Sequence, residues 1–122
     1  NTSTLIRAII DNGSPVTLIS DVDLERVRKI SHRRLEIVGQ VNLGGLKIDL
    51  IDLGEAILKF RDENNKVVEI KHRVYGGKLP IKKAYFTCPL PSIIGMDFLR
   101  EHAAGIMFDK NGNPFLGISE DL

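Results

Sequence analysis

Short apolar runs, most of them rich in β-branched residues and each ended by Gly, Pro, Asn or Asp, limit what this chain can fold into. Runs of this length and composition favour strands over helices. Two segments instead predict short helices: 21–30, with Ser20 as its N-cap, and 96–103. The expected fold class is therefore all-β with one or two short helices. The predicted strands are 4–10, 16–19, 36–41, 46–51, 55–60, 67–73, 84–88, 92–94, 106–109 and 115–118.

Polar and glycine-rich segments predict the turns between these strands. The connection 62–65, Asp-Glu-Asn-Asn, predicts that 55–73 is a hairpin. The two Gly-Gly pairs, at 44–45 and 76–77, are not followed by the Lys and Ser or Thr of a phosphate-binding loop. They indicate a turn or a flexible flap, and 75–80 is the clearest candidate for a mobile loop.

The length and charge of the chain restrict its organisation and its partners. With 122 residues, the sequence predicts one domain, 1–122, around one hydrophobic core. A formal net charge of +1 gives no basic excess for nucleic acid, and no apolar stretch approaches the roughly 20 residues of a membrane span. The single Cys88 cannot form an internal disulfide, so an intracellular, reducing compartment is expected. The start at Asn1 without a methionine suggests a fragment of a longer protein.

The most informative stretch is Ile-Ile-Asp-Asn-Gly-Ser at 9–14, where an acid and a glycine turn interrupt two apolar runs. One interpretation is a carboxylate, Asp11, presented at a strand end with backbone N–H groups and the hydroxyl of Ser14 nearby, as general acid–base chemistry requires. The other is a type I′ hairpin turn, for which Asn-Gly between apolar runs is the strongest short signal. These residues alone leave both interpretations open.

A second stretch, Ile-Ile-Gly-Met-Asp-Phe-Leu at 93–99, places Ile93, Ile94 and Gly95 directly before the second predicted helix. By itself this pattern is that of a strand entering a helix, with Gly95 allowing close packing. Its value lies in its combination with the stretch at 9–14.

Together the two stretches resemble the retropepsins, the aspartic proteases of retroviruses and long-terminal-repeat retrotransposons. In that family an apolar pair precedes Asp-Thr-Gly or Asp-Ser-Gly, and Ile-Ile-Gly or Ile-Leu-Gly follows some seventy or more residues later, before a short helix. Gly-Met-Asp-Phe-Leu at 95–99 is similar to the retrotransposon branch, and 38–46 resembles the flap hairpin that closes over a bound peptide. The resemblance covers roughly residues 4 to 109.

The resemblance implies a small, closed, barrel-like fold and a homodimeric endopeptidase without metal or cofactor. Asp11 is then the catalytic carboxylate, one from each subunit, supported by Asn12, Gly13 and Ser14. Asp97 is expected to have a structural role at the start of its helix. The implied substrate is an extended peptide with apolar residues around the cleaved bond, such as a segment of the parent polyprotein. The implied location is the cytoplasm or virus-like particles. The implied flap residues are Val38, Gly39, Gln40, Val41, Asn42, Leu43, Gly44 and Gly45.

Two departures from the family pattern leave alternatives open. Asn12 stands where the family has Thr or Ser, and only 10 residues precede Asp11, which leaves little chain for a terminal strand in a shared dimer sheet. The run 115–118 could supply that strand instead. The first alternative is a retropepsin-like dimerisation or peptide-binding module with weak or no catalysis, and the second is an unrelated small barrel in which Asn12 and Gly13 form a hairpin turn.

The histidines and the serine give weaker signals. His32, His72 and His102 form neither an i, i+4 pair nor a zinc-type cluster with Cys or carboxylates in the sequence, so they are predicted to be surface or lightly buried side chains. Ser14 lacks the Gly-x-Ser-x-Gly pattern of a serine hydrolase. The sequence therefore predicts no metal site and no serine nucleophile.

Overall fold

The computed structural model of the chain describes residues 4–28, 36–78 and 91–118. Strands predominate among them, and two short helices accompany the strands, which confirms the predicted all-β class. In chain order the elements are β1 (Ala8–Ile10), β2 (Leu18–Ile19), α1 (Asp21–Arg28), β3 (Ile37–Leu43), β4 (Leu46–Arg61), β5 (Val67–Lys78), β6 (Ser92–Ile94), α2 (Met96–Glu101), β7 (Ala104–Phe108) and β8 (Pro114–Ile118).

Six strands form one curled sheet, a half-barrel, in the order β1-β6-β2-β5-β4-β3. Strand β6 lies between β1, to which it is parallel, and β2, to which it is antiparallel. Strand β2 in turn runs parallel to β5, and β5, β4 and β3 are successively antiparallel. Strands β7 and β8 form a separate two-stranded sheet. In the described part of the chain the six-stranded sheet is open at β1 and β3, so a closed barrel is not seen there.

The core is made of buried side chains from the six-stranded sheet and from α2. Val41, Ile48 and Leu50 form one buried cluster, against which Val16 and Tyr75 pack. Phe98 of α2 is also fully buried. Burying a side chain of this size contributes roughly 1.5–3 kcal/mol, so these few residues supply much of the driving force that seats α2 on the sheet.

Strand β4 is longer than the sequence predicts because a glycine bulge, and not a chain break, lies at its centre. The prediction of two strands, 46–51 and 55–60, is wrong. Gly54 has φ +79°, and the pairing with β5 shifts between Asp52 and Gly54. The N–H of Gly54 donates to Oδ1 of Asp52 at 2.8 Å. This local turn lets one strand continue to Arg61 and keeps its pairing with β5.

The predicted mobile loop at 75–80 is also wrong for residues 75–78, which belong to β5; residues 79–80 lie outside the described part. Gly76 and Gly77 are buried here. A Cβ on Gly76 would lie 3.1 Å from Leu24 Cδ2, and one on Gly77 would lie 2.8 Å from Leu18 Cδ1. These glycines therefore provide room for leucine side chains and do not act as hinges.

Both helices begin where the sequence predicts. Oγ of Ser20 accepts a hydrogen bond of 3.4 Å from the N–H of Asp23, so Ser20 is the N-cap of α1. Helix α2 ends at Glu101, two residues before the predicted end, and Ala103 has φ +47°. The predicted end of α1 at residue 30, the predicted strand 84–88, and Cys88 lie outside the described residues. Within the described ranges, no helix is long and apolar enough to span a bilayer.

Candidate functional site

Asp11 sits in a tight turn directly after β1. Its N–H donates to the carbonyl oxygen of Ile94 at 3.0 Å, and the N–H of Ser14 donates to the carbonyl oxygen of Asp11 at 3.2 Å. The N–H of Gly13 donates to Oδ1 of Asp11 at 2.8 Å. The carboxylate is therefore oriented by a backbone donor two residues ahead and remains partly exposed.

This turn is not a hairpin between β1 and β2. Strand β6 lies between these two strands and pairs with both: Ile9 is opposite Ile93 on one side, and Leu18 is opposite Ile93 on the other. The type I′ hairpin interpretation of Asn12 and Gly13 is therefore wrong, because such a hairpin needs direct pairing of the strands that flank it.

Gly95 joins the two sequence motifs. The N–H of Met96 donates to the carbonyl oxygen of Ser14 at 2.7 Å. A Cβ on Gly95 would lie 2.2 Å from the carbonyl oxygen of Val16 and 2.8 Å from that of Ser14. Backbone atoms cannot move aside cheaply at such distances, so only glycine fits here. The stretch at 93–95 thus lies against the Asp11 turn.

Thr17 and Asp97 connect Gly95 and the start of α2 through side-chain hydrogen bonds. The role of Thr17 was not predicted from the sequence. Its Oγ1 accepts a hydrogen bond from the N–H of Gly95 at 3.1 Å and donates one to Oδ1 of Asp97 at 2.7 Å. Oδ1 of Asp97 also accepts from the N–H of Phe98 at 2.7 Å, in the first turn of α2. A threonine between two apolar residues of a short strand carries no local sign of this role, because both of its partners lie far along the chain.

The hydroxyl of Ser14 does not reach the carboxylate of Asp11 through a hydrogen bond in the described structure. It is fully buried, and it donates to the carbonyl oxygen of Val16 at 2.8 Å. Ser14 therefore stabilises the turn and acts on Asp11 only through the backbone.

A shallow depression of about 260 Å³ lies beside the turn. Asp11 is not among the residues that line it, whereas the next two residues of the turn are. An arginine at the rim gives the depression a cationic side. The lining residues are Asn12, Gly13, Pro15, Met96, Asp97 and Arg100.

The segment 38–46 does form a hairpin, built from β3 and the start of β4. Its two-residue turn consists of Gly44 and Gly45, with φ +58° and +85°, as a type I′ turn requires. Oδ1 of Asn42 accepts the N–H of Gly45 at 3.0 Å. Val41 is buried in the core, while Val38 is largely exposed. Among the described residues, no hydrogen bond connects this hairpin to the Asp11 turn.

One group of side chains was not predicted at all. The prediction of a surface or lightly buried side chain is wrong for His72, which is 3% exposed. Its Nδ1 lies 3.0 Å from Oε2 of Glu101 and 3.1 Å from Nε2 of His102. Its other ring nitrogen, Nε2, lies 3.2 Å from Oδ2 of Asp97. Only the tertiary fold brings β5 beside the end of α2, so no spacing in the sequence could have revealed this cluster. His32 lies outside the described residues.

No family model, no curated protein and no solved structure matches this chain. The functional assignment therefore depends on the residues and geometry described above.

Proposed function

We propose that this chain is a retropepsin-like aspartic endopeptidase domain that works as a homodimer. The observation that carries the proposal is the seating of Asp11: its backbone is tied to Ile94, and Oδ1 accepts the N–H of Gly13 at 2.8 Å. A carboxylate fixed in orientation and partly open to solvent suits general acid–base work on a bound water. The close fit of Gly95 against the same turn supports the pairing of the two motifs.

The chemistry requires a second carboxylate, and a second copy of the chain supplies it. Asp97 is the acid nearest in sequence to the second motif, but its Oδ1 is already engaged by Thr17 and Phe98. Across a two-fold axis, Asp11 of one subunit meets Asp11 of the other, and two close carboxylates share one proton because both cannot ionise easily.

The two carboxylates then divide the work of hydrolysis. The ionised one takes a proton from water as the water oxygen attacks the peptide carbonyl carbon, and the protonated one donates to the carbonyl oxygen. The C–N bond breaks when the nitrogen accepts a proton, which leaves one new carboxyl and one new amine. Asn12, Gly13 and Ser14 maintain the turn during these steps.

An extended peptide would bind to the dimer as an added strand beside Asp11. Residues 38–45 cover the peptide and exclude bulk water, and main-chain hydrogen bonds supply affinity. The exposed, edge-located β3 provides backbone donors and acceptors for such pairing. Apolar residues around the cleaved bond are expected, and the parent polyprotein is the natural substrate class.

The β7–β8 hairpin offers an apolar surface for the second subunit. Four large apolar side chains are exposed on this small sheet, and Phe108 is 67% exposed. By the strand register, Met107 and Phe115 share one face of this sheet, and Ile106 and Phe108 lie on the other. Apolar side chains exposed on both faces of a small sheet favour contact with another chain. The four residues are Ile106, Met107, Phe108 and Phe115.

Cleavage assays on the purified domain test the proposal. An apolar peptide library is incubated with the native chain, with Asp11→Asn and with the control Asp21→Asn from acid to neutral pH, and products are identified by mass spectrometry. Native and Asp21→Asn chains should cleave the same bonds, and Asp11→Asn should not. Adding excess Asp11→Asn to native protein should suppress cleavage, because mixed dimers hold one active carboxylate. Cleavage that persists in pure Asp11→Asn protein would overturn the proposal.

A second candidate is a peptide-binding or dimerisation module of the same kind without catalysis. The exposed Asn12, at the position where the resembling family has Thr or Ser, favours it. Asn12→Thr separates the two candidates: a gain of Asp11-dependent cleavage indicates an enzyme limited by Asn12, while peptide binding without cleavage in both forms indicates the module.

A further inference from the structure

We infer that His72, Glu101 and His102 form a binding site for a divalent transition metal of the zinc class, joining β5 to the end of α2. One ligand atom from each residue lies within 4.8 Å of the other two. Two imidazole nitrogens and one carboxylate oxygen are a donor set that suits Zn²⁺ and Co²⁺. The site is distinct from the Asp11 turn and does not depend on proteolysis.

The distances are close to those of a coordinated ion. His72 Nδ1 is 3.0 Å from Glu101 Oε2 and 3.1 Å from His102 Nε2. With metal–ligand bonds of roughly 2.0–2.2 Å, tetrahedral ligand atoms are about 3.3–3.6 Å apart. Only small movements are needed, and the carboxylate can make them because the Glu101 side chain is 62% exposed. With three protein ligands, the fourth position is left to water.

A single proton on Nδ1 of His72 cannot satisfy the hydrogen-bonding needs of all three side chains in this cluster. Nδ1 of His72 carries at most one hydrogen, yet two groups approach it within hydrogen-bonding distance. If Nδ1 is protonated, His102 and Glu101 compete for that hydrogen; if it is not, its lone pair faces the carboxylate. A shared cation satisfies all three atoms at once.

The surroundings of Nε2, the second ring nitrogen of His72, favour the tautomer with the proton on Nε2, which leaves Nδ1 free to bind a metal. Nε2 is the one buried side-chain nitrogen or oxygen in the described ranges that lacks a hydrogen-bond partner. It lies 3.2 Å from Oδ2 of Asp97, but in a direction that falls short of hydrogen-bond geometry. Rotation of the His72 ring toward a metal at Nδ1 brings the N–H of Nε2 into line with Oδ2 of Asp97. Metal-binding histidines usually donate their other N–H to a carboxylate in this way.

The surrounding rings hold the ligands in place before a metal arrives. The His72 ring meets the buried Phe98 ring edge-on at a centroid distance of 5.3 Å, and the His102 ring packs on Phe98 at 4.6 Å. The N–H of His102 donates to the carbonyl oxygen of Phe98 at 3.1 Å. Pre-positioned ligands lower the ordering cost of binding.

Cobalt binding tests the site directly. The native chain is titrated with Co²⁺, followed by the visible absorption of the ion, and with Zn²⁺ by calorimetry. One ion per chain is expected, and Glu101→Gln and His102→Gln should each weaken binding more than about tenfold, as loss of a ligand exceeds the 10–100-fold effects of outer partners. The control Glu55→Gln, an exposed acid on β4, should bind as the native chain does.

Unchanged affinity in both ligand variants, or no uptake beyond that of a His102→Gln chain, would overturn the inference. Both substitutions lie at incompletely buried positions, and circular dichroism of the metal-free proteins checks that they fold. Asp97→Asn provides a separate readout. Its amide N–H₂ facing Nε2 forces the proton of His72 onto Nδ1, so affinity should fall about 10- to 100-fold. Affinity equal to that of the native chain would contradict the role of Asp97 as a positioning residue.

Discussion

The hydroxyl of Thr17 donates a 2.7 Å hydrogen bond to Oδ1 of Asp97, a residue 80 positions further along the chain. The same hydroxyl accepts the N–H of Gly95. The other oxygen of Asp97 lies 3.2 Å from Nε2 of His72. One carboxylate therefore lies between the backbone beneath the Asp11 turn and the histidine cluster at the end of α2.

Removing the Thr17 hydroxyl should be costly. Thr17→Val keeps the side-chain shape but leaves the N–H of Gly95 and one oxygen of Asp97 without this partner in a site where Thr17 is 4% exposed. We expect the free energy of unfolding to fall by about 2–3 kcal/mol, measured by urea denaturation. Thr17→Ser retains the hydroxyl and should lose about 1 kcal/mol. Equal losses in both variants would show that the hydroxyl contributes nothing.

A side chain at position 95 should disrupt the site. In Gly95→Ala the new methyl group would lie 2.2 Å from the carbonyl oxygen of Val16, so backbone must move and about 3 kcal/mol or more of stability should be lost. Gly105→Ala is the matched control, since a Cβ there meets nothing within 4 Å. Its change should stay within about 0.5 kcal/mol. Thermal unfolding of both variants measures the difference in stability. Similar melting temperatures would contradict the close packing of Gly95 against the backbone of Val16 and Ser14.

Substitutions at Gly44, in the turn of the 38–46 hairpin, should change stability according to how readily the new residue adopts a positive φ. Gly44 has φ +58°, a conformation that Asn adopts at little cost and a β-branched residue does not. We expect Gly44→Val to lose about 1–2 kcal/mol and Gly44→Asn less than about 0.5 kcal/mol, by denaturant midpoint. A Val variant as stable as the Asn variant would argue against the left-handed turn.

The turn between β7 and β8 should give a pH-dependent contribution to stability. Hydrogen bonds from the backbone N–H of Asn113, and then of Asn111, lower the pKa of Asp109 from its ordinary 3.8. Because the folded pKa is depressed, the stabilisation is fully present above the ordinary value and disappears as the pH falls through the lowered one. The melting temperature of Asp109→Asn should therefore lie below that of the native chain at neutral pH and converge with it toward pH 2. A gap that stays constant across this range would refute the charge effect.

The two Gly-Gly pairs show which structural features can be predicted from local sequence and which cannot. At 44–45 the pair forms a two-residue turn, as predicted, because the reason for glycine there is a local backbone conformation. At 76–77 the same dipeptide lies inside β5, where glycine is required by Leu24 and Leu18 from distant parts of the chain. Sequence pattern identifies the first reason and cannot identify the second, so the predicted mobile loop was wrong for residues 75–78.

The candidate site also has some features that local sequence predicts and others that depend on the tertiary fold. The turn at Asp11 and the strand before α2 were expected from two motifs, but the contact between them was not. The sequence Asn-Gly also left open a hairpin, which the insertion of β6 excludes. The role of Thr17 and the cluster around His72 were not expected. Each depends on pairs of residues that become neighbours only when β5, β6 and α2 are in place.

The insertion of β6 between β1 and β2 also affects synthesis on the ribosome. The hydrogen bonds between Ser20 and Ser92 and between Thr17 and Asp97 span 72 and 80 positions. Strand β2 can already pair with β5, but β1 has no partner in the described sheet until β6 has emerged. A nascent chain that stops before Ser92 leaves β1 unpaired and one edge of β2 open, which exposes these strands to mispairing. The native arrangement around Asp11 can therefore form only after β6 has been synthesised, and chains truncated before Ser92 should depend strongly on chaperones.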